Sequence, residues 1–298
     1  MRISLSVPPA RWIFLLVVIF TFAAICYSAG KACLAAAWSA STDPQGWKAA
    51  IRLEPQNASY FERWGLYRQW ELDQRDLGEA VRYLERAVQL DPLSAKFRLE
   101  LASAYEIQGD EAHAHQAYEA AKLEYPISAD VAWRYGSFLL RQKDFAAGFT
   151  EIRRALEHDA TLETSAISEC WESDPDVAAI VDQALPRRSD AYLAALDYFV
   201  SQGRADAAQI VWTRLLKLEQ PFPMARALPF VDELISEDRI GAAKRTWDEA
   251  LLTTGWARDS KADESLVFNS SFENEKMCGG GIVIRFSREE ISKGMQKL

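Results

Sequence analysis

Gly65, Ala102 and Gly136 stand 37 and then 34 residues apart, each at the same place in a recurring run of large and small side chains. The run from Ala95 reads Leu101-Ala102, Tyr105, Gly109, Ala114, Tyr118, Ala121 and Pro126. From Ala129 it reads Tyr135-Gly136, Leu139, Phe145, Gly148, Ile152 and Ala155. From Ala58 it reads Trp64-Gly65, Ala80, Leu84, Ala87 and Pro92, lengthened near its turn. Within each half of a run the apolar residues fall at i, i+3/i+4 and i+7, the spacing of a helix packed on one side. Small residues sit where two antiparallel helices touch, and proline closes the unit. A pair of helices cannot bury its own apolar face, so a period of this length implies hairpins stacked on one another.

These residues resemble the tetratricopeptide repeat, whose pattern is W-x2-L-G-x2-Y, then A-x3-F, then P over a helix–turn–helix. The resemblance covers residues 58–160 well and 189–255 loosely. It implies an all-α fold, a TPR-like α-solenoid, and binding of other proteins rather than catalysis. In such a stack the first helix of each unit lines the concave face. Its ligand-facing positions are here Glu62, Gln69 and Trp70; Leu99, Ser103 and Glu106; and Trp133, Ser137 and Arg141. The Lys/Asn set with which some members clamp a C-terminal carboxylate is absent. Trp70 and Trp133 either anchor a peptide, as aromatic hot spots do, or pack between repeats, and the sequence leaves both readings open.

Before the repeats, Trp12 to Ala29 is an uncharged apolar run. As a helix it rises about 27 Å, close to the hydrocarbon thickness of a bilayer. Its length favours an uncleaved anchor; a signal peptide cut near Ala35-Ala36-Ala37 is the alternative. Neither Cys26 nor Cys33 sits in a lipobox. Arg2 and Arg11 precede the run and only Lys31 and Lys48 follow closely, which keeps the short N-terminus cytoplasmic and the rest extracytoplasmic, in the periplasm.

The expected organisation is a cytoplasmic tail over 1–11, a transmembrane signal-anchor helix and flank over 12–37, and a connecting helix within 38–57. Three repeats follow over 58–160, an atypical helical pair over 161–188, two degenerate hairpins over 189–255, and a linker with an irregular tail over 256–298. In the connector, Ser41 to Gly46 reads as a turn cluster and Trp47 to Pro55 as the second helix of a truncated leading unit. In the atypical pair, Asp174-Pro175 reads as a helix start, Asp as cap and Pro at the first position. In the tail, Leu266 to Glu273 reads as a strand, and Asn269-Ser270-Ser271-Phe272-Glu273 is similar to the opening of galactose-binding-like β-sandwiches. A sandwich needs roughly 100 residues, so carbohydrate is an expected partner only where a complete domain follows. The order of anchor, repeats and incipient sandwich is similar to that of bacterial envelope proteins, some associated with exopolysaccharide production.

Several function classes are disfavoured. The formal net charge is −9, with no Lys/Arg stripe, which argues against a nucleic-acid partner. The cysteines are scattered, without a C-x2-C pair, so no zinc site is expected. They read as unpaired thiols, with a Cys170–Cys278 disulfide the alternative in an oxidising compartment. His113 and His115, two apart on a helix, point to different faces, and His158 stands alone. No G-x-S-x-G, H-E-x-x-H or G-x4-G-K-[ST] occurs. No cofactor and no enzymatic activity are expected.

Overall fold

A computed structural model of the chain describes residues 8–254. The described residues are all helical hairpins and short turns, without a strand, behind one apolar N-terminal helix. The strand-like segment at 266–273 and Cys278 lie outside the described residues. The chain divides into two compact units, Met1–Val131 and Ala132–Leu298.

In the first unit, α1 (Pro8–Ala40) is followed by α2 (Pro44–Leu53), α3 (Ala58–Trp70), α4 (Leu77–Leu90), α5 (Ala95–Gln108) and α6 (Glu111–Glu124). Each helix packs on the next in chain order. The segment Trp12–Ala40 is long and apolar enough to cross a membrane, and none of it is buried over its most apolar stretch. The helix runs on without a break through the expected flank to Ala40, so the leading unit is not truncated: its first helix is the end of α1. There Ala35 is fully buried together with Ala50 and Tyr60. Gly46 lets α2 approach, since a Cβ at that position would lie 2.8 Å from the Trp38 carbonyl oxygen. The second helix begins earlier than the turn cluster suggests. Asp43 caps it by accepting from the Gln45 N–H, and Pro44 takes the first position, the two residue types that start helices best.

Small residues sit at the hairpin crossings as the repeat pattern demands. A Cβ on Gly65 would come within 2.7 Å of Leu84 Cγ, and Ala102 is fully buried. Aromatic rings fill the wider gaps: Trp64 lies 5.3 Å from Tyr67 and 6.2 Å from Tyr83 between ring centres, with Lys48 Nζ 4.4 Å over its face.

The second unit contains α7 (Ala129–Arg141), in which the division falls, then α8 (Phe145–His158), α9 (Glu163–Ser173), α10 (Val177–Ala179), α11 (Ser189–Ser201), α12 (Ala205–Leu216), α13 (Leu228–Ser236) and α14 (Ile240–Thr254). A Cβ on Gly136 would meet Ile152 Cδ1 at 2.9 Å, so α7 and α8 cross as α3 and α4 do. The atypical pair starts its second helix two residues later than Asp174-Pro175 implies. Asp174 instead ends α9 and accepts from the Asp176 N–H, and Asp176 caps α10 by accepting from Ala179 N–H. The chain then winds into one π-turn, Ile180–Ala184. One continuous core joins these helices, with Trp212, Phe149, Phe199 and Phe230 its largest fully buried side chains. Trp212 Nε1 donates to Glu249 Oε2 at 2.7 Å, which removes the cost of burying the indole N–H.

The turn inside four of the hairpins recurs, though the α3–α4 turn lacks it. Gly109, Lys143, Gly203 and Asp238 all have left-handed backbones, with φ of 85°, 63°, 62° and 60°. After each, the next amide reaches back to the helix: Asp110 to Tyr105, Asp144 to Leu139, Arg204 to Phe199 and Arg239 to Leu234, at 2.8–3.0 Å. This is the helix-ending motif that favours glycine. Its presence at Gly203 and Asp238 makes the two loosely matching hairpins turn as the regular ones do.

Candidate functional site

The candidate groove residues lie on the first helices of successive units: α3 and α5 in the first compact unit, α7 in the second. In the first, two cross-links tie α3 to α5. Lys96 Nζ lies 2.6 Å from Glu62 Oε1, and Gln69 Nε2 donates to Ser103 Oγ at 3.3 Å. Both links span 34 residues, but the first two repeats are offset by 37. A residue on α3 therefore meets one about a turn earlier on α5, because neighbouring first helices are staggered. Glu62 and Gln69 are buried at this seam, at 5% and 0% exposure, and Leu99 is buried at 1%. Ser103 and Glu106 are half-buried, and Glu106 accepts from the Tyr118 hydroxyl at 3.4 Å. Trp70, at the end of α3, is 60% exposed. The surface presented to solvent is thus built from Trp70, the ammonium of Lys96, and the edges of Ser103 and Glu106.

In the second unit, Trp133 is partly buried against the core and Ser137 is buried at 6%. Arg141 stays open, its side chain 52% exposed, with Glu169 Oε1 on α9 at 3.9 Å. A half-exposed pair at that separation contributes little to stability.

Two of these ion-pair partners, Lys96 and Glu169, were outside the residues picked from the repeat pattern. For Lys96 a signal existed: it occupies the second position of its helix, which the staggered stacking brings onto the fifth position of the helix before. For Glu169 none did, because α9 lacks the repeat signature.

The arrangement offers hydrogen-bonding and charged groups spread along helix faces rather than a closed pocket of reactive groups. Among the described residues no three of His, Cys, Asp and Glu cluster as metal ligands. His113, His115 and His158 are exposed; His113 Nδ1 sits 2.7 Å from its own helix cap, Asp110. Cys26 and Cys33 are exposed on α1, while Cys170 is fully buried and burial pushes its thiol up to about 12.

No protein-family model and no curated protein matches the chain. Among solved structures it is similar to YrrB, described as a TPR protein with an unusual peptide-binding site, at 17% identity over 59% of this chain and 93% of that one, TM-score 0.38. It is similar to a tetratricopeptide repeat protein from Parabacteroides merdae, at 16% identity over 77% and 87%, TM-score 0.40. It is also similar to PilF of Pseudomonas aeruginosa, at 16% identity over 68% and 93%, TM-score 0.38. At that distance the likeness adds no weight; the assignment to tetratricopeptide-like hairpins stands on the recurring crossings and turns of the chain itself.

Proposed function

We propose that the chain is a membrane-anchored scaffold that holds a protein partner on the first-helix faces of its repeats, outside the cytoplasm. The observation that carries this reading is the Glu62–Lys96 and Gln69–Ser103 seam. It fixes the neighbouring helices α3 and α5 against each other and leaves Trp70 and the Lys96 ammonium standing at its border. A rigid pair of helices with an exposed indole and a cation suits an extended or helical peptide carrying an apolar residue and a carboxylate. Trp133, Ser137 and Arg141 supply the corresponding positions in the second unit. The anchor reading is supported by the length and apolarity of Trp12–Ala40, and the orientation by Arg2 and Arg11 ahead of it. A role in envelope or exopolysaccharide assembly is the setting this arrangement suggests.

Site-specific photocrosslinking in living cells tests the scaffold reading. A benzophenone amino acid replaces Trp70, Lys96 or Arg141 in turn, and Arg86 or Glu119 on the second helices as controls. Adducts of one shared mass from the first three positions support the proposal. The same adducts from Arg86 and Glu119, or none anywhere, would sink it. Protease treatment of spheroplasts tests the topology: the repeats are expected to be digested while the membrane stays closed, and full protection contradicts the orientation.

A further inference from the structure

The turns that join successive repeats in the first unit are copies of one another. Glu54-Pro55-Gln56-Asn57, Asp91-Pro92-Leu93-Ser94 and Tyr125-Pro126-Ile127-Ser128 each place proline second. Each closes with its fourth amide on its first carbonyl, at 3.2, 3.4 and 3.2 Å. The side chain of the fourth residue then caps the next helix, as Asn57, Ser94 and Ser128 all do. The third residue, like the proline before it, is exposed. It is Gln56 in the first turn, but Leu93 and Ile127 in the next two, 69% and 75% exposed. Polar residues and glycine dominate such turn positions. One exposed leucine on a surface calls for no explanation; two large aliphatics at the same place in successive turns do.

Their position supplies one. Because α2 runs antiparallel to the end of α1, it returns toward the middle of α1. The turn after α2 lies beside Tyr27, Ser28 and Lys31, across a crevice of about 760 Å³ that Leu90 and Asp91 also line. The second turn is therefore at the same level. The third is tied to the second: Arg98 donates to the Pro92 carbonyl at 2.8 Å and forks onto both carboxylate oxygens of Glu124, and the Tyr125 hydroxyl donates to the Leu93 carbonyl. All three turns thus share one edge of the unit, level with Tyr27–Lys31 on α1. Lys31 is the first charge after Arg11. The stretch between them rises roughly 29 Å as a helix, the thickness of the hydrocarbon layer. Residues 27–31 then mark the boundary between acyl chains and headgroups.

We propose that this edge of the first unit rests on the same bilayer that α1 spans, with Leu93 and Ile127 inserted at the headgroup–acyl boundary. The proposal rests on reading α1 as a membrane span. Charges of both signs lie along the edge, Lys31 and Arg98 beside Glu54, Asp91 and Glu124, and Arg98 is paired with Glu124. Contact is therefore apolar rather than an attraction of a basic patch to anionic lipid, and it needs no anionic lipid. The hairpins would stand on the membrane by their inter-repeat turns, with the turn at Leu72 pointing away, and the α3–α5 face would open sideways along the surface.

The full chain, with its native cysteines replaced, is reconstituted in phosphatidylcholine vesicles carrying a lipid with a nitroxide high on its acyl chain. Single cysteines labelled with a fluorophore are placed at Leu93, Ile127 and Leu72, or Cys26 is kept. Leu72 is 85% exposed but lies at the opposite edge, so it controls for mere exposure. Expected is loss of most of the emission at 26, 93 and 127 and none at 72, unchanged between low and high salt. Emission at 93 and 127 as unquenched as at 72, with Cys26 quenched, overturns the proposal while leaving the anchor intact. Equal quenching at 72 overturns the stated orientation. An unquenched Cys26 overturns the anchor reading itself.

Discussion

The first compact unit follows the repeat pattern throughout; the second keeps it in α7 and α8, then departs from it and is held by one large core. In the first, some of the buried clusters are small and local, as are that of Val81, Leu84, Leu101 and Ala104 and that of Ala35, Ala50 and Tyr60. In the second, one cluster runs from Leu140 to Ala250 and collects the largest buried rings. The repeat signature encodes close contact between neighbouring helices, which alanine and glycine satisfy. Where the signature fades, the chain is held by long-range burial of aromatic residues, for which no short pattern is required. A nearest-neighbour stack should soften locally, whereas a single core should respond as a whole.

The largest test of this contrast is Trp212→Ala. Removing a fully buried indole is expected to cost about 3–5 kcal/mol and to leave Glu249 without its donor. Peptide-resolved hydrogen exchange should show faster exchange across α8 to α14 together. Faster exchange confined to α12 and its immediate neighbours would put the second unit in the nearest-neighbour class too.

Gly65→Val is the matching change in the first unit. The added atoms meet Leu84 and the Ala80 carbonyl oxygen, an overpacking that costs about 1–3 kcal/mol. Its effect on exchange should stop at α3, α4 and the faces packed on them. An effect reaching α1 and α6 alike would show that the unit is more cooperative than its small clusters imply.

A gain of about 1 kcal/mol is expected from Lys143→Gly, because Lys143 holds a left-handed backbone that glycine adopts freely. The denaturation midpoint should rise. No change would mean that the lysine side chain stabilises the turn in some other way.

A smaller effect separates the units by pH. Asp76 and Asp110 cap α4 and α6, and the backbone N–H from which each accepts holds its carboxyl below the ordinary carboxylate range. A depressed folded value means that the stabilisation is fully present above the ordinary carboxylate range and is lost as pH falls through the depressed value. By contrast, α12 starts at Arg204 with no side-chain cap. Acidification should therefore expose α4 and α6 to pepsin before α12, and cleavage of α12 first would contradict the assignment. The smallest expected change is in thiol reactivity: Cys33, beyond the membrane span, should take up a maleimide in the folded chain while the buried Cys170 does not.

Much of this architecture was legible in the residues. Gly65, Ala102 and Gly136 mark the crossings, Gly109-Asp110 and Lys143-Asp144 mark the turns, and Trp12 to Ala29 marks the apolar helix. The site was legible in outline only. A repeat pattern gives the face of a helix on which a residue lies, but not how far the next helix slides along it. That stagger buried Glu62, Gln69 and Leu99 and brought in Lys96. The start of α10 was misplaced because two Asp residues flank Pro175 and both are good caps; the depth to which Val177, Ile180 and Val181 are drawn into the core favours the later one. Ser41 to Gly46 was legible as a turn, but not that α1 runs on to Ala40 or that Asp43-Pro44 already starts α2.

That join carries the central claim: the last turns of α1 pack on α2 as the first helix of the leading hairpin, so within the first unit the apolar segment meets the repeats through an unbroken helix rather than a tether. Hydrogen exchange on the full chain in lipid vesicles measures it directly. Amides 30–40 should exchange as slowly as those of α2. Exchange there at the rate of an unstructured chain, with α2 still protected, would mean a flexible tether and would contradict the account.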